Sequence, residues 1–196
     1  MRYAVLLPIL LATAPLAGCI SFGAAPPPTL LTIESAAAVP VGPVQRTGGT
    51  RPVTVSVPGV PQALATTRVP VQATATTIAY VKDAQWAEPP ARLFARLVGD
   101  TLTARTGRVV FTGGQSNVDP GMLLGGELRR FDLDATARVA VVTYDASLIR
   151  TDAGAVEKRR FEARVPVTAI DAANAGPALG QAANQVAAEV ADWVGR

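Results

Sequence analysis

The stretch "RVAVVTYDASLIRTDAGAVEKRRFEARVPV", Arg138–Val167, decides the fold. Its first half places Ala140, Val142, Tyr144, Ala146 and Leu148 on one side of an extended chain. Its second half turns Phe161, Ala163 and Val165 inward, with Arg160, Glu162 and Arg164 outward. A period of two is what a strand with one buried face requires. "TDAG", Thr151–Gly154, joins the runs as a hairpin turn. Two long antiparallel strands with one apolar side need a second layer to cover it.

The neighbouring segments supply that layer. Upstream, "MLLGGELRRFDLD" (Met122–Asp134) is a third strand whose apolar parity changes near Arg129–Phe131, as a β-bulge would make it. Downstream, Asp171–Arg196 reads as a helix with Leu179, Ala182, Val186, Val190 and Trp193 in one stripe. Asp171 is its N-cap, while Gly176 and Pro177 delay the regular helix. An earlier helix begins at Pro89–Pro90, carries Leu93, Phe94, Leu97, Val98 and Leu102 on one face, and stops at Gly107. Its other face holds Arg92, Arg96, Asp100 and Arg105, a solvated surface. Strands are also expected at Thr29–Ile33, Arg51–Pro58, Thr77–Val81 and "RVVFT", Arg108–Thr112. The proline-broken segment Gly59–Thr76 reads as an exposed loop with a short edge strand at Arg68–Gln72. The order predicts one α+β domain: a two-layer, mostly antiparallel sheet with two helices packed on one face.

The N-terminus reads differently. Arg2, the apolar run Ala4–Thr13 and the small-residue exit "APLAG" resemble an export signal, too short to span a bilayer. "Leu16-Ala17-Gly18-Cys19" then matches a bacterial lipobox. Only a thiol can carry a diacylglycerol as a stable thioether, and Ala17 and Gly18 are small enough for a signal peptidase groove. Cleavage before Cys19 frees an α-amine for a further, palmitate-type acyl chain; several chains together anchor stably. Residues 1–18 are thus the signal, and 19–28, ending in "APPP", a lipidated flexible tether. Residues 29–196 form the domain. Ile20, where inner-membrane lipoproteins often carry aspartate, points to the outer membrane, facing the periplasm.

Composition limits the chemistry. The sequence of 196 residues has no histidine, so imidazole bases, Ser-His-Asp sets and imidazole metal ligands are excluded. "Gly114-Gln115-Ser116-Asn117" begins like a nucleophile elbow, but Val118 stands where its closing glycine belongs. Asp132 and Asp134 share a strand face, which suits either a cation or a solvated strand end. The glycine pairs at 113–114 and 125–126 sit in no phosphate-loop frame. Outside the signal, 17 basic residues balance 15 acidic ones, which gives no reason to expect nucleic acid. No enzyme and no cofactor is expected.

At "Ile78-Ala79-Tyr80-Val81-Lys82-Asp83-Ala84-Gln85-Trp86-Ala87-Glu88-Pro89-Pro90" the chain resembles the ABC-type transport auxiliary lipoproteins, partners of Mce-domain lipid transporters that include the paraquat-inducible C-type lipoprotein. "Leu30-Leu31-Thr32-Ile33", Arg68, "Gly125-Gly126-Glu127-Leu128-Arg129-Arg130-Phe131", "Arg160-Phe161-Glu162-Ala163" and Trp193 are similar to that family as well. "Leu64-Ala65-Thr66-Thr67-Arg68" is a departure, since relatives often carry an acidic residue before the arginine. The resemblance implies a non-catalytic outer-membrane component that receives an Mce-domain periplasmic protein, with a homo-oligomer left open. A direct lipid carrier or chaperone and a purely structural envelope lipoprotein are the alternatives. Trp86, Glu88, Pro89 and Arg68 are the motif residues to locate. Trp86 is either an exposed anchor for a partner or a core plug beneath the first helix. The core reading is preferred, because few other residues of this chain could fill the space.

Overall fold

A computed structural model describes residues 29–37, 39, 41–47, 49–112, 121–151 and 154–195. Cys19, the signal and tether, Gly113–Gly114, the elbow-like Ser116 and the centre of the expected Thr151–Gly154 turn lie outside the described residues.

The elements are β1 (Val53–Val55), a 3-10 turn (Gln62–Leu64), β2 (Arg68–Thr74), β3 (Thr77–Gln85), α1 (Pro90–Thr106), β4 (Val110–Thr112), β5 (Met122–Asp134), β6 (Val139–Arg150), β7 (Ala155–Pro166) and α2 (Ala172–Val194). The long antiparallel ladder β5–β6–β7 forms as its alternation requires. The register of β5 against β6 shifts between Leu128 and Arg130, so the bulge restores apolar parity and turns Phe131 and Leu133 inward with Leu124 and Leu128.

The expected two-layer, mostly antiparallel sheet is not what forms. The sheet is mixed: β1 runs parallel to both β4 and β5, and β2 runs parallel to β5. It also forks. On the edge of β5 away from β6, β1 pairs at Met122–Leu124 and β2 pairs at Leu133–Asp134. Between them only Gly59 bridges to Glu127. The sheet curls into a half-barrel, so that α2 reaches β3 at one side and β7 at the other. Twist accumulated along the long β5–β6 pair brings those edges round the helices.

Three local expectations also change. Thr29–Ile33 contributes one bridge, Leu31 to Trp86, instead of a strand. β2 is no edge strand, for β3 and β5 flank it. Pro70 is tolerated there because its register with β3 is shifted and the ladder to β5 begins only at Val71. Finally, α2 starts at Ala172 and runs through Pro177 without delay. The Asp171 side chain accepts from the Asn174 amide at 2.9 Å and fixes that start.

Both helices fill the hollow of the curl. They run parallel: Leu31 lies beside Trp86 and Gly176 at their N-terminal ends, and Arg105 donates to Asp192 at their C-terminal ends. Phe94, Leu97, Leu102, Leu179, Val186 and Val190 are all buried in this core.

Candidate functional site

The motif residues converge where chain segments cross beneath the start of α1. The Trp86 amide donates to Thr67 O at 2.7 Å, immediately before Arg68. Leu31 donates to Gln85 O and accepts from the Ala87 amide, each at 2.8 Å. The Trp86 ring is wholly buried against Phe131. Hence Trp86 is a core plug and no surface anchor. Pro89 and Pro90 start α1 behind it, with Pro90 at a position where no amide donor is needed. Glu88, just before the helix, pairs with Arg96 of α1. Arg68 sits exposed with its guanidinium 3.7 Å from the Tyr80 ring centroid, a cation–π stack within the β2–β3 pair.

The segment around residues 31–36 is fastened across both helices. Ser35 Oγ lies 3.1 Å from Thr101 Oγ1 of α1. Asn184 of α2 accepts from the Ala36 amide at 2.7 Å and donates to Glu34 O at 3.0 Å. The side chain of Leu31 presses on Gly176, where a Cβ would come within 3.0 Å of Cδ2.

The fork in the sheet leaves a cleft on the outer face. The Gly59 amide donates to Gly126 O at 2.9 Å, and the Leu128 amide donates to Gly59 O at 2.8 Å, so the proline-rich loop Pro58–Pro70 is pinned over the gap. Gly126 must be glycine: its φ is 141°, and a Cβ would meet Asp145 O at 2.0 Å. The neighbouring Gly125 O accepts from Tyr144 Oη at 2.6 Å. Burial pushes that phenol's pKa up, so it stays a donor.

Pro61, Leu64, Pro70 and Ile78 make the apolar walls of the cleft, and Arg129, Arg130 and Asp132 its polar floor, around ≈ 250 Å³. Arg130 grips Asp132 through two bonds, Nε to Oδ2 at 3.1 Å and Nη2 to Oδ1 at 2.6 Å, with Asp134 at 3.7 Å. Burial raises the Asp132 pKa, and the Arg130 hydrogen bond and charge oppose it. The arginine's own pKa is raised first by the same hydrogen bond. The two shifts pull the pair in opposite senses; the bidentate geometry decides for an ion pair. Asp132 and Asp134 therefore face a cation already present, their own Arg130. That partner was readable, because residues 130, 132 and 134 share one strand face. Among the described residues no group of three metal-ligating side chains forms.

The comparisons fit this geometry. Residues 31–191 match the family described as ABC-type transport auxiliary lipoprotein component. No curated protein matches the sequence. The crystal structure of protein XCC0632 from Xanthomonas campestris, of family-model DUF330, is similar at a TM-score of 0.71 and 20% identity, covering 85% of this chain and 94% of that one. A second, described as an uncharacterized protein, aligns at a TM-score of 0.64 and 18% identity over 74% and 92%. Both share the fold. The family match begins at Leu31, the residue that clamps the N-terminal segment to Trp86, takes in every strand and ends within the last turns of α2. This chain belongs to the family of ABC-type transport auxiliary lipoprotein components.

Proposed function

We propose that the protein is a non-catalytic auxiliary component of an Mce-type ABC lipid transport system, anchored at the outer membrane through lipidated Cys19 and facing the periplasm. Its role is to receive the Mce-domain protein. Family membership supports the transport assignment, and the lipobox supports the anchor.

One observation carries the choice between an adaptor and a lipid carrier. The hollow of the half-barrel is filled with protein, where Phe94, Leu97, Leu179, Val186 and Val190 are buried at 2% exposure or less. An acyl chain would have to displace that core. The docking surface is the outer cleft, with Pro61, Leu64, Pro70 and Ile78 offering apolar contact beside Arg129 and Arg130.

The test is co-purification of the full-length lipoprotein, extracted in detergent, with a candidate Mce-domain protein, followed by crosslinking and lipid analysis. An Mce-domain protein crosslinked to Pro58–Pro70 is the expected result. Crosslinks confined to the arginine face of α1 would move the docking surface. Stoichiometric phospholipid retained by the purified protein beyond its own acyl anchor would make it a carrier, and neither partner nor lipid would leave a structural lipoprotein.

A further inference from the structure

β7 pairs with β6 on one side, and no strand lies on its other side among the described residues. It is 12 residues long and regular. The other outer strands are poorer templates: β4 has three residues, and β3 is interrupted by Asp83 at φ 56° and capped by Leu31 at its end.

The register tells which groups the free edge offers. The Val167 amide donates to Arg138 O at 2.9 Å, one step beyond the Val139–Pro166 pair. Bonded pairs recur at every second residue of an antiparallel ladder. Val165, Ala163, Phe161 and Arg159 therefore bond to β6, while Arg164, Glu162, Arg160 and Lys158 turn their amides outward. Pro166 falls on the outward set, where its missing donor costs nothing.

Charge narrows the occupant. β7 carries Lys158, Arg159, Arg160 and Arg164 against Glu157 and Glu162. Arg160 is held by Asp145 and Arg164 by Glu162, but Lys158 makes no ion pair among the described residues, and Arg159 lies 4.9 Å from the Phe161 ring. These three consecutive cations share with Glu127, Asp145 and Ser147 a shallow cleft of ≈ 540 Å³ across the face of β5, β6 and β7. Of the three, Lys158 is the one with neither an ion pair nor a ring contact among the described residues. A two-fold pairing of β7 with itself centred on Arg159 would set Lys158 of each copy against Arg160 of the other, which like charges oppose. Toward the other end, Val165, Val167, Pro177 and Ala178 give the apolar part of a mixed cleft of ≈ 210 Å³ between β7 and α2, with Thr168, Asn174 and Gln181 its polar part.

We infer that the outer edge of β7 accepts an extended acidic segment of a partner protein as an added strand. Its acidic side chains lie opposite Lys158 and Arg160 on the outer face. Its alternate residues are apolar and turn toward Val165 and Pro177. The same basic residues that keep the free edge from pairing with itself select the partner. This edge is separate from the cleft of the proposed Mce contact, so failure here leaves that reading intact.

The experiment is residue-level amide exchange on the full-length protein in detergent, with a short blocked peptide alternating Glu and Val and its Lys–Val counterpart as probes. In the free protein the amides of Lys158, Arg160, Glu162 and Arg164 should exchange fast while those of Arg159, Phe161, Ala163 and Val165 are slow. The Glu–Val peptide should slow the first set, less so at high salt. Lys158→Glu should weaken that binding roughly fivefold or more, turning an attractive cross-strand pair repulsive, and Lys158→Pro should remove an outward donor and the charge together. Protection that arises at β3, or at no strand, overturns the proposal. So does equal binding of the Lys–Val peptide. Outward amides already slow in the free protein and released on dilution would show the edge taken by a second copy, which also overturns it.

Discussion

Trp86 and Phe131 meet edge to face, with ring centroids 5.5 Å apart and planes inclined at 69°. The contact ties the segment before α1 to the strand residue that the β5 bulge turns inward. Among the described residues the indole Nε1 has no hydrogen-bond partner, so Trp86 is there for its volume. Trp86→Ala should cost ~3–5 kcal/mol, a large share of a domain's stability. Trp86→Phe should cost about 1–2 kcal/mol, since the smaller ring also removes a buried unpaired donor. Chemical denaturation of both variants checks the order; an unchanged midpoint for Trp86→Ala would contradict the burial.

Two glycines should answer oppositely to alanine. At Gly126 a Cβ would strike the Asp145 carbonyl oxygen at 2.0 Å, a backbone atom that cannot swing aside, so the β5–β6 ladder must open. Gly126→Ala should cost about 2 kcal/mol or more. Gly180 lies in α2 with open space at its Cβ. Gly180→Ala should stabilise by roughly 0.5–1 kcal/mol through helix propensity alone. Thermal unfolding of the pair is decisive, for equal shifts would refute the steric argument.

Acid should destabilise the fold through the outer face. Hydrogen bonds from Arg160 hold the Asp145 carboxyl below its ordinary pKa, and those from Arg164 and Thr143 do the same for Glu162. A carboxylate lowered in the folded state contributes stability above its unfolded pKa and loses it as pH falls. The loss should therefore begin near pH 4 and deepen below it. Asp132 and Asp100, both raised by burial, work in the opposite sense and moderate the slope. Asp145→Asn should flatten the stability profile between about pH 4 and pH 2. At neutral pH it should cost only ~0.2–1 kcal/mol, because Arg160 is exposed. A steeper profile in the variant would reverse the assignment.

At the N-terminus, Cys19→Ser should abolish lipid labelling and leave the signal uncleaved, since no other thiol exists in the chain. Labelling with a clickable fatty acid and N-terminal mass analysis read this directly. A mature wild-type chain starting anywhere but Cys19 would disprove the anchor.

What the sequence made legible was local. The alternation of β6 and β7, the bulge at Leu128–Arg130, the caps Gly107 and Asp171, and the α2 stripe all follow from neighbours a few residues apart. The parallel partners of β5 are another matter. Val53 meets Met122 and Val71 meets Leu133 across long separations, and nothing in either short run says which edge it will join. Pro70 misled for a physical reason, being a residue that sheets normally confine to their edges, here accommodated by a shifted register. The cleft could not be seen at all, because it exists only once the loop at Gly59 crosses the fork. Its charged floor was half visible: the two aspartates stood out, and the arginine on their own strand face was overlooked.

The clamping of residues 31–36 bears on mechanics. A pull arriving along the chain from the membrane side first meets the paired backbone bonds of Leu31 with Gln85 and Ala87, then the Asn184 amide gripping Glu34 and Ala36. The two Leu31 bonds share the load, and the Asn184 bonds stand behind them. The tension passes into the end of β3 and into α2, and neither the outer edge of β7 nor the outer cleft takes part in these bonds. A partner seated on either would feel the body held steady while the membrane beneath it moves.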